Sequence, residues 1–257
     1  MALQDTTGYI QTETHQFITT IEFHHPKGNS LPASLLHSLA QAIHEAGVDF
    51  NTHVIILRSA GSRTFCAGAS FDELSAISSA AQGTEFFSGF AHVINAMRKC
   101  PKLIIGRIHG KCVGGGVGLA AAVDYAIGLE GADIRLSELS IGFGPFVIAP
   151  AVERKIGPAA FQALTIDAAH WRNAEWALKR GLYAELHHSV EALDEAVGRL
   201  ANQLAHSNPD AMAELKQLFW KGTEHWDQLL KDRAAVSGRL VLSEHTSLSI
   251  AKMKRHS

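Results

Sequence analysis

Three short segments hold the residue types that could do chemistry. The first is FCAGASF, residues 65–71, where small residues let a ligand approach the main chain and Ser70 or Asp72 is placed to cap a following helix. A plain passage from loop to helix reads the same way. The second is HGKCVGGGVGLA, residues 109–120, between a strand pattern and a helix pattern. Three consecutive glycines are costly in conformational entropy. At a helix start they leave main-chain N–H groups without an intrahelical partner, which suits a phosphate or a developing oxyanion. Tight packing of helix on sheet accounts for them equally well. No Gly-Lys-Ser/Thr follows, which excludes a P-loop, and no acidic residue ends a well-placed second strand, so nucleotide cofactors are disfavoured. The third segment is RLSELSIGFGPF, residues 135–146. Glu138 is the only acid between Asp133 and Glu153. Apolar surroundings would desolvate its carboxyl and raise its pKa toward neutrality, as general acid or base work requires. A capping or ion-paired surface Glu is the alternative.

The elements that must position these segments alternate between strand and helix. Residues 17–23 read as a strand, followed by a turn at 25–29. Pro32 then opens an amphipathic helix with Leu36, Leu39 and Ile43 on one face, ended by Gly47. Further strands are expected at 54–58, 103–108 and 125–129, with a loop at 61–68. A helix carries Phe86, Phe87, Phe90, Val93, Ile94 and Met97 until Pro101 stops it, and an Ala-rich helix begins near Val117. This alternation predicts an α/β architecture with buried sheet strands. Beyond residue 190 the pattern is helical, at 192–204 and 211–230, and the polar end 252–257 is expected to fray.

Composition narrows the function. The chain has 257 residues, 46% hydrophobic and 19% charged, which suits a folded domain with a core that needs no disulfide or metal staple. A net charge of −2 gives no general electrostatic reason to bind nucleic acid or an anionic membrane. The longest uncharged stretches, 112–123 and 139–152, fall short of the roughly 20 apolar residues of a membrane span. The N-terminal 17 residues show no export signal, and Cys66, Cys100 and Cys112 form no CxxC pair, so reduced, buried thiols in the cytoplasm are expected. The 15 histidines show no HExxH or other metal-site spacing, and no GxSxG elbow supports a Ser-His-Asp triad.

Taken in order, the segments resemble the crotonase family, the enoyl-CoA hydratases and isomerases. HHPKGNSL at 24–31 is similar to RPxxxNAL, FCAGAS to FxAGAD, HGKCVGGGVGLAAAVDYAIG to NGxAxGGGxxLAxxCDxxxA, and SELSIGFGP to PExxLGxxP. The stretch at 156–183 resembles the family's IG…A…TG…AxEAxxxGLV helix. The resemblance implies a crotonase-like (ClpP/crotonase) spiral of β-β-α units over residues 1–195. Helices at 196–257 would then assemble a homotrimer or a dimer of trimers. It also implies an acyl-CoA substrate, as in fatty acid metabolism, with CoA part of the substrate and no separate cofactor or metal. The amides of Ala69 and Gly115 would hold the thioester oxygen, while Lys27, Gly28, Ala67, Ser70 and Phe71 fall where the family contacts CoA.

One departure bears on the reaction. Typical hydratases carry two Glu, and here the first position is Gly118 and the second is Glu138. A single base can move a double bond, whereas hydration usually divides its work between two carboxylates. The resemblance therefore favours a Δ3,Δ2-enoyl-CoA isomerase with Glu138 as proton shuttle, and Pro145-Phe146 also stands as in some isomerases. Rival readings are a hydratase, for example for a methylglutaconyl-CoA-type substrate with Asp72, Glu73 or Glu85 holding the water, a noncatalytic acyl-CoA binder, and RNA binding through the sparse basic cluster at 99–111. Asp124 matches the family's Asp after the Ala-rich helix and is expected to hold structure rather than react.

Overall fold

The computed structural model describes residues 8–254. Strand β1 (Tyr9–His15) pairs antiparallel with β2 (Ile18–His24) through a tight turn in which Gln16 and Phe17 take φ of 48° and 66°. Most of β1 is exposed, so no apolar run announces it. The chain then forms α1 (Ala33–Val48), β3 (Val54–Ser59), β4 (Thr64–Cys66), α2 (Phe71–Leu74) and α3 (Ala80–Lys99). Next come β5 (Leu103–Ile108), β6 (Lys111–Val113), α4 (Gly115–Ala122), β7 (Tyr125–Leu129), β8 (Ile134–Arg135) and α5 (Glu138–Ile141). Helices α6 (Ala149–Ile156), α7 (Pro158–Ile166) and α8 (Ala174–Lys179) lead to β9 (Glu185–His187). The last helices are α9 (Val190–Ala205), α10 (Pro209–Phe219), α11 (Trp226–Leu240) and α12 (Glu244–Lys254).

Two sheets result. The larger has the order β1-β2-β3-β5-β7-β9, parallel from β2 onward, and the smaller is β4-β6-β8, also parallel. Each turn of the chain gives one strand to each sheet, β3 with β4, β5 with β6 and β7 with β8, before a helix returns it. This is the spiral of β-β-α units that the resemblance implied. The central strands β3, β5 and β7 pack on both faces, with alternate side chains pointing to opposite sides. Ile55, Leu57, Ile104 and Ile108 enter the main core with α1, α3 and α4, while Val54, Ile105 and Ile127 meet Leu193, Val197 and Ala201 of α9. Residue 195 lies within α9, whose buried face seals that second side of the sheet.

Several boundaries differ from the sequence expectations. Helix α1 continues through Gly47, where a methyl group would lie 3.1 Å from Cys100 Sγ, so that glycine answers a close contact rather than a stop. The expected loop at 61–68 contains β4, and the small sheet's other strands, of two or three residues, also escape detection because only tertiary pairing defines them. The Ala-rich helix starts at Gly115, two residues before Val117. The helix expected at 211–230 is two, broken between Phe219 and Trp226 around Gly222 at φ 85°. At the end, α12 persists to Lys254 where fraying is expected; 255–257, like residues 1–7 of the stretch read as lacking an export signal, lie outside the described residues. Among the described residues no helix is long and apolar enough to cross a membrane.

Candidate active site

A cavity of about 150 Å³ opens where the loop after β4, the start of α4 and the turn around α5 meet, and Ala67, Gly68, Ala69, Gly114, Gly115 and Glu138 all line it. The loop is held by main-chain bonds: Ala67 N–H donates to Gly28 O (3.1 Å), Leu31 N–H to Gly68 O (2.8 Å) and Ser70 N–H to Leu31 O (3.2 Å). This parallel bridge uses the groups on either side of Ala69 and leaves its own N–H turned elsewhere. Gly115 is the first residue of α4, so its N–H has no intrahelical acceptor. Among the described residues neither of these two N–H groups has a hydrogen-bond partner. Gly68, at φ 90°, brings the two segments together, since a methyl group on it would lie 3.4 Å from the Gly115 nitrogen.

The glycine triplet answers the packing reading that its sequence allowed. Gly116 serves packing, because a methyl group there would meet Cys66 O at 2.2 Å. Gly115 faces Phe90, 2.2 Å from such a methyl, and Gly114 faces the carboxyl of Glu138, whose Oε1 would be 2.8 Å away. Glu138 begins α5, and its Oε2 is buried with no hydrogen-bond partner. Burial pushes its carboxyl up from the ordinary 4.5 to about 7, against the smaller opposing pull of its own main-chain N–H and the Arg135 charge. Of the two readings that the sequence left open for Glu138, the desolvated acid is the one found beside the triplet. Gly142, left-handed at φ 119°, ends α5, and its carbonyl accepts from Thr246 Oγ1 of α12 at 3.0 Å. The last helix thus buttresses the turn that bears Glu138.

The other singled-out residues fall nearby or elsewhere in definite roles. Gly28 packs against Ala67, Lys27 is ion-paired with Asp72, and Phe71 lines the cavity. Ser70 caps α2 by accepting the Glu73 N–H at 3.4 Å. Glu73 in turn accepts the Ala33 N–H at the start of α1, 2.9 Å. Asp72, Glu73 and Glu85 do not line the cavity, where Glu138 is the only ionisable side chain among the described residues. Phe86, Phe87 and Phe90 wall it, as do Pro145 and Phe146. The thiols are buried, and burial pushes Cys66 up to about 12 and Cys100 and Cys112 upward as well. No three His, Cys, Asp or Glu side chains cluster as metal ligands among the described residues. Of the basic cluster, Lys99 and Arg107 are engaged by Asp227 and Asp194.

One residue that shapes the site gave no sequence signal. Ile148, buried at the start of α6, lines the cavity and fills the space beside Gly118, so that a methyl group at 118 would lie 2.5 Å from its Cγ2 and 2.8 Å from its Cβ. A β-branched buried side chain cannot swing clear. Gly118→Ala should therefore lose about 1–3 kcal/mol to overpacking, more than the ~1 kcal/mol that Ala gains over Gly in helix propensity. The loss should shrink in a background carrying Ile148→Ala, so a double-mutant cycle by urea unfolding checks the contact. Additive losses would deny it.

The enoyl-CoA hydratase/isomerase family model matches residues 13–247. A Bacillus subtilis protein named "Probable enoyl-CoA hydratase" is 29% identical over 217 residues, covering 82% of this chain and 81% of that protein. The carnitinyl-CoA dehydratase of Proteus mirabilis is 29% identical over 195 residues, 76% of this chain and 73% of its own. The crystal structure of an enoyl-CoA hydratase from Bacillus halodurans superposes with a TM-score of 0.87 at 24% identity, covering 95% of this chain and 99% of that one, and shares the fold. Because the matched span runs from β1 into α12 and takes in every residue that lines the cavity, the chain belongs to the enoyl-CoA hydratase/isomerase family.

Proposed function

We propose that this protein is an enoyl-CoA isomerase that moves a double bond with one carboxylate. The observation that carries this reading is the pairing of Glu138, the only ionisable side chain in the cavity among the described residues, with Ile148 occupying the space a second acid at position 118 would need. The thioester oxygen of a 3-enoyl-CoA accepts hydrogen bonds from the N–H groups of Ala69 and Gly115. Ionised Glu138 takes a proton from C2, and the electron pair spreads through the thioester and the C3–C4 double bond as a dienolate. Its charge collects on the oxygen that the two amides hold, where each such donor is worth about 3–4 kcal/mol in the transition state. Glu138 then returns the proton to C4, which leaves the double bond between C2 and C3 and the carboxylate restored. No water enters. A pKa of about 7 suits both halves, since the same group must accept and then release a proton.

The two N–H groups, with Lys27, Gly28, Ala67, Ser70 and Phe71 along one side, supply the acyl-CoA site of this reading. Among the described residues the hydratase alternative lacks a second acid at the cavity: Asp72 is ion-paired with Lys27 and Glu73 holds the start of α1. Purified protein should convert 3-hexenoyl-CoA to 2-hexenoyl-CoA and leave 2-hexenoyl-CoA without hydration, followed by chromatography of the thioesters. Hydration of the 2-enoyl substrate with no action on the 3-enoyl one would overturn the isomerase assignment. Binding of both with turnover of neither would make the protein a carrier of acyl-CoA.

A further inference from the structure

Away from Glu138 the cavity is chemically one-sided. Among the described residues its walls hold no Lys, Arg or His side chain, and six phenylalanines line it: Phe71, Phe86, Phe87, Phe90, Phe143 and Phe146. Phe87 stands edge-on to Phe86 at 5.1 Å and to Phe143 at 5.3 Å. Behind these rings, Phe86 and Phe143 share a buried cluster with Val241 and Ile250 of the C-terminal helical region, so the far wall is backed by packed side chains rather than by an opening. The cavity's volume is about 150 Å³, and an apolar cavity of that size holds roughly one benzene-sized group.

We infer that the acyl group of the substrate is uncharged, apolar and compact, about the bulk of a six-carbon chain or one phenyl ring, and that the aromatic wall turns away acyl groups ending in a carboxylate. The inference rests on the acyl-thioester reading of the site. A second carboxylate would lose its hydration among the rings with no cation to pair with it, and it would face Glu138, a group of the same sign. A much longer chain would have to displace the ring cluster and the helices behind it.

Saturated thioesters test this without depending on which reaction the enzyme performs. Isothermal titration of the full chain with hexanoyl-CoA, glutaryl-CoA, decanoyl-CoA and free CoA compares charge and length at one site. Hexanoyl-CoA is expected to bind at least about tenfold more tightly than each of the others, the discrimination that one or two methylenes in a hydrophobic pocket provide. Equal or tighter binding of glutaryl-CoA overturns the exclusion of charge, and equal or tighter binding of decanoyl-CoA overturns the size limit. Hexanoyl-CoA binding no better than free CoA would remove the acyl site itself, and the isomerase reading with it. Failure of the isomerase reading alone registers instead in the enoyl-CoA assay and leaves the binding order intact.

Discussion

Replacing Glu138 with Gln should lower turnover by a factor on the order of 10³ and at the same time make the protein more stable at alkaline pH. Both effects come from one buried carboxyl. Its pKa lies at about 7 in the folded protein and near 4.5 when exposed, so the folded state holds a proton that the unfolded state has released. Stability is full below pH 4.5 and declines as pH rises toward about 7, after which the loss is constant. At pH 8 the loss amounts to about 3 kcal/mol, and Gln, which cannot ionise, escapes it. Urea unfolding of both proteins at pH 4.5 and pH 8 should show a difference only at the higher pH. Equal stability at both would mean that Glu138 is not desolvated. The native enzyme's rate should also climb through pH 7, with about a tenth of the carboxylate form available at pH 6.

Asp124→Asn is expected to cost about 3–5 kcal/mol of stability while leaving proton transfer in the folded fraction nearly unchanged. Asp124 Oδ2 accepts the Ile104 N–H at 2.8 Å and pairs with Lys216 Nζ at 2.5 Å, and its Oδ1 accepts the Trp220 indole N–H at 3.0 Å. Lys216 is only 2% exposed, so the Asn variant leaves an ammonium buried without its counter-charge. The carboxylate thus fastens α10 to the edge of β5 and β7, outside the lining of the cavity. Adding Lys216→Met should restore much of the loss, because an apolar side chain of similar length tolerates burial. A folded Asp124→Asn protein with normal stability and no turnover would instead place Asp124 in the reaction.

How much of this was legible beforehand follows from burial. Strands β5 and β7 read correctly to the residue because strands buried on both faces are continuous apolar runs. Strand β1 did not, since its sequence YIQTETH is largely solvated and its pairing depends on a turn with two residues at positive φ and no glycine. Glu138 was legible as a lone acid among apolar neighbours, and the triplet as an entropic expense in need of a reason. Ile148 was not, because its meaning lies in a gap left by Gly118, thirty positions earlier in a different helix. The same holds for Lys216, which lies 92 residues from the aspartate it neutralises. The break between α10 and α11 had a signal in Gly222, which a smooth helical pattern on either side concealed.

The Thr246 hydroxyl that clasps the Gly142 carbonyl ties the glutamate's turn to a helix with little else buried; among its described side chains Thr246 and Ile250 face inward. Segments of that kind come loose at a lower free energy than the sheet they lean on. Warming should therefore silence the catalyst some degrees before it melts: residual activity would fade while far-ultraviolet dichroism still reports an intact fold, and cooling would revive it.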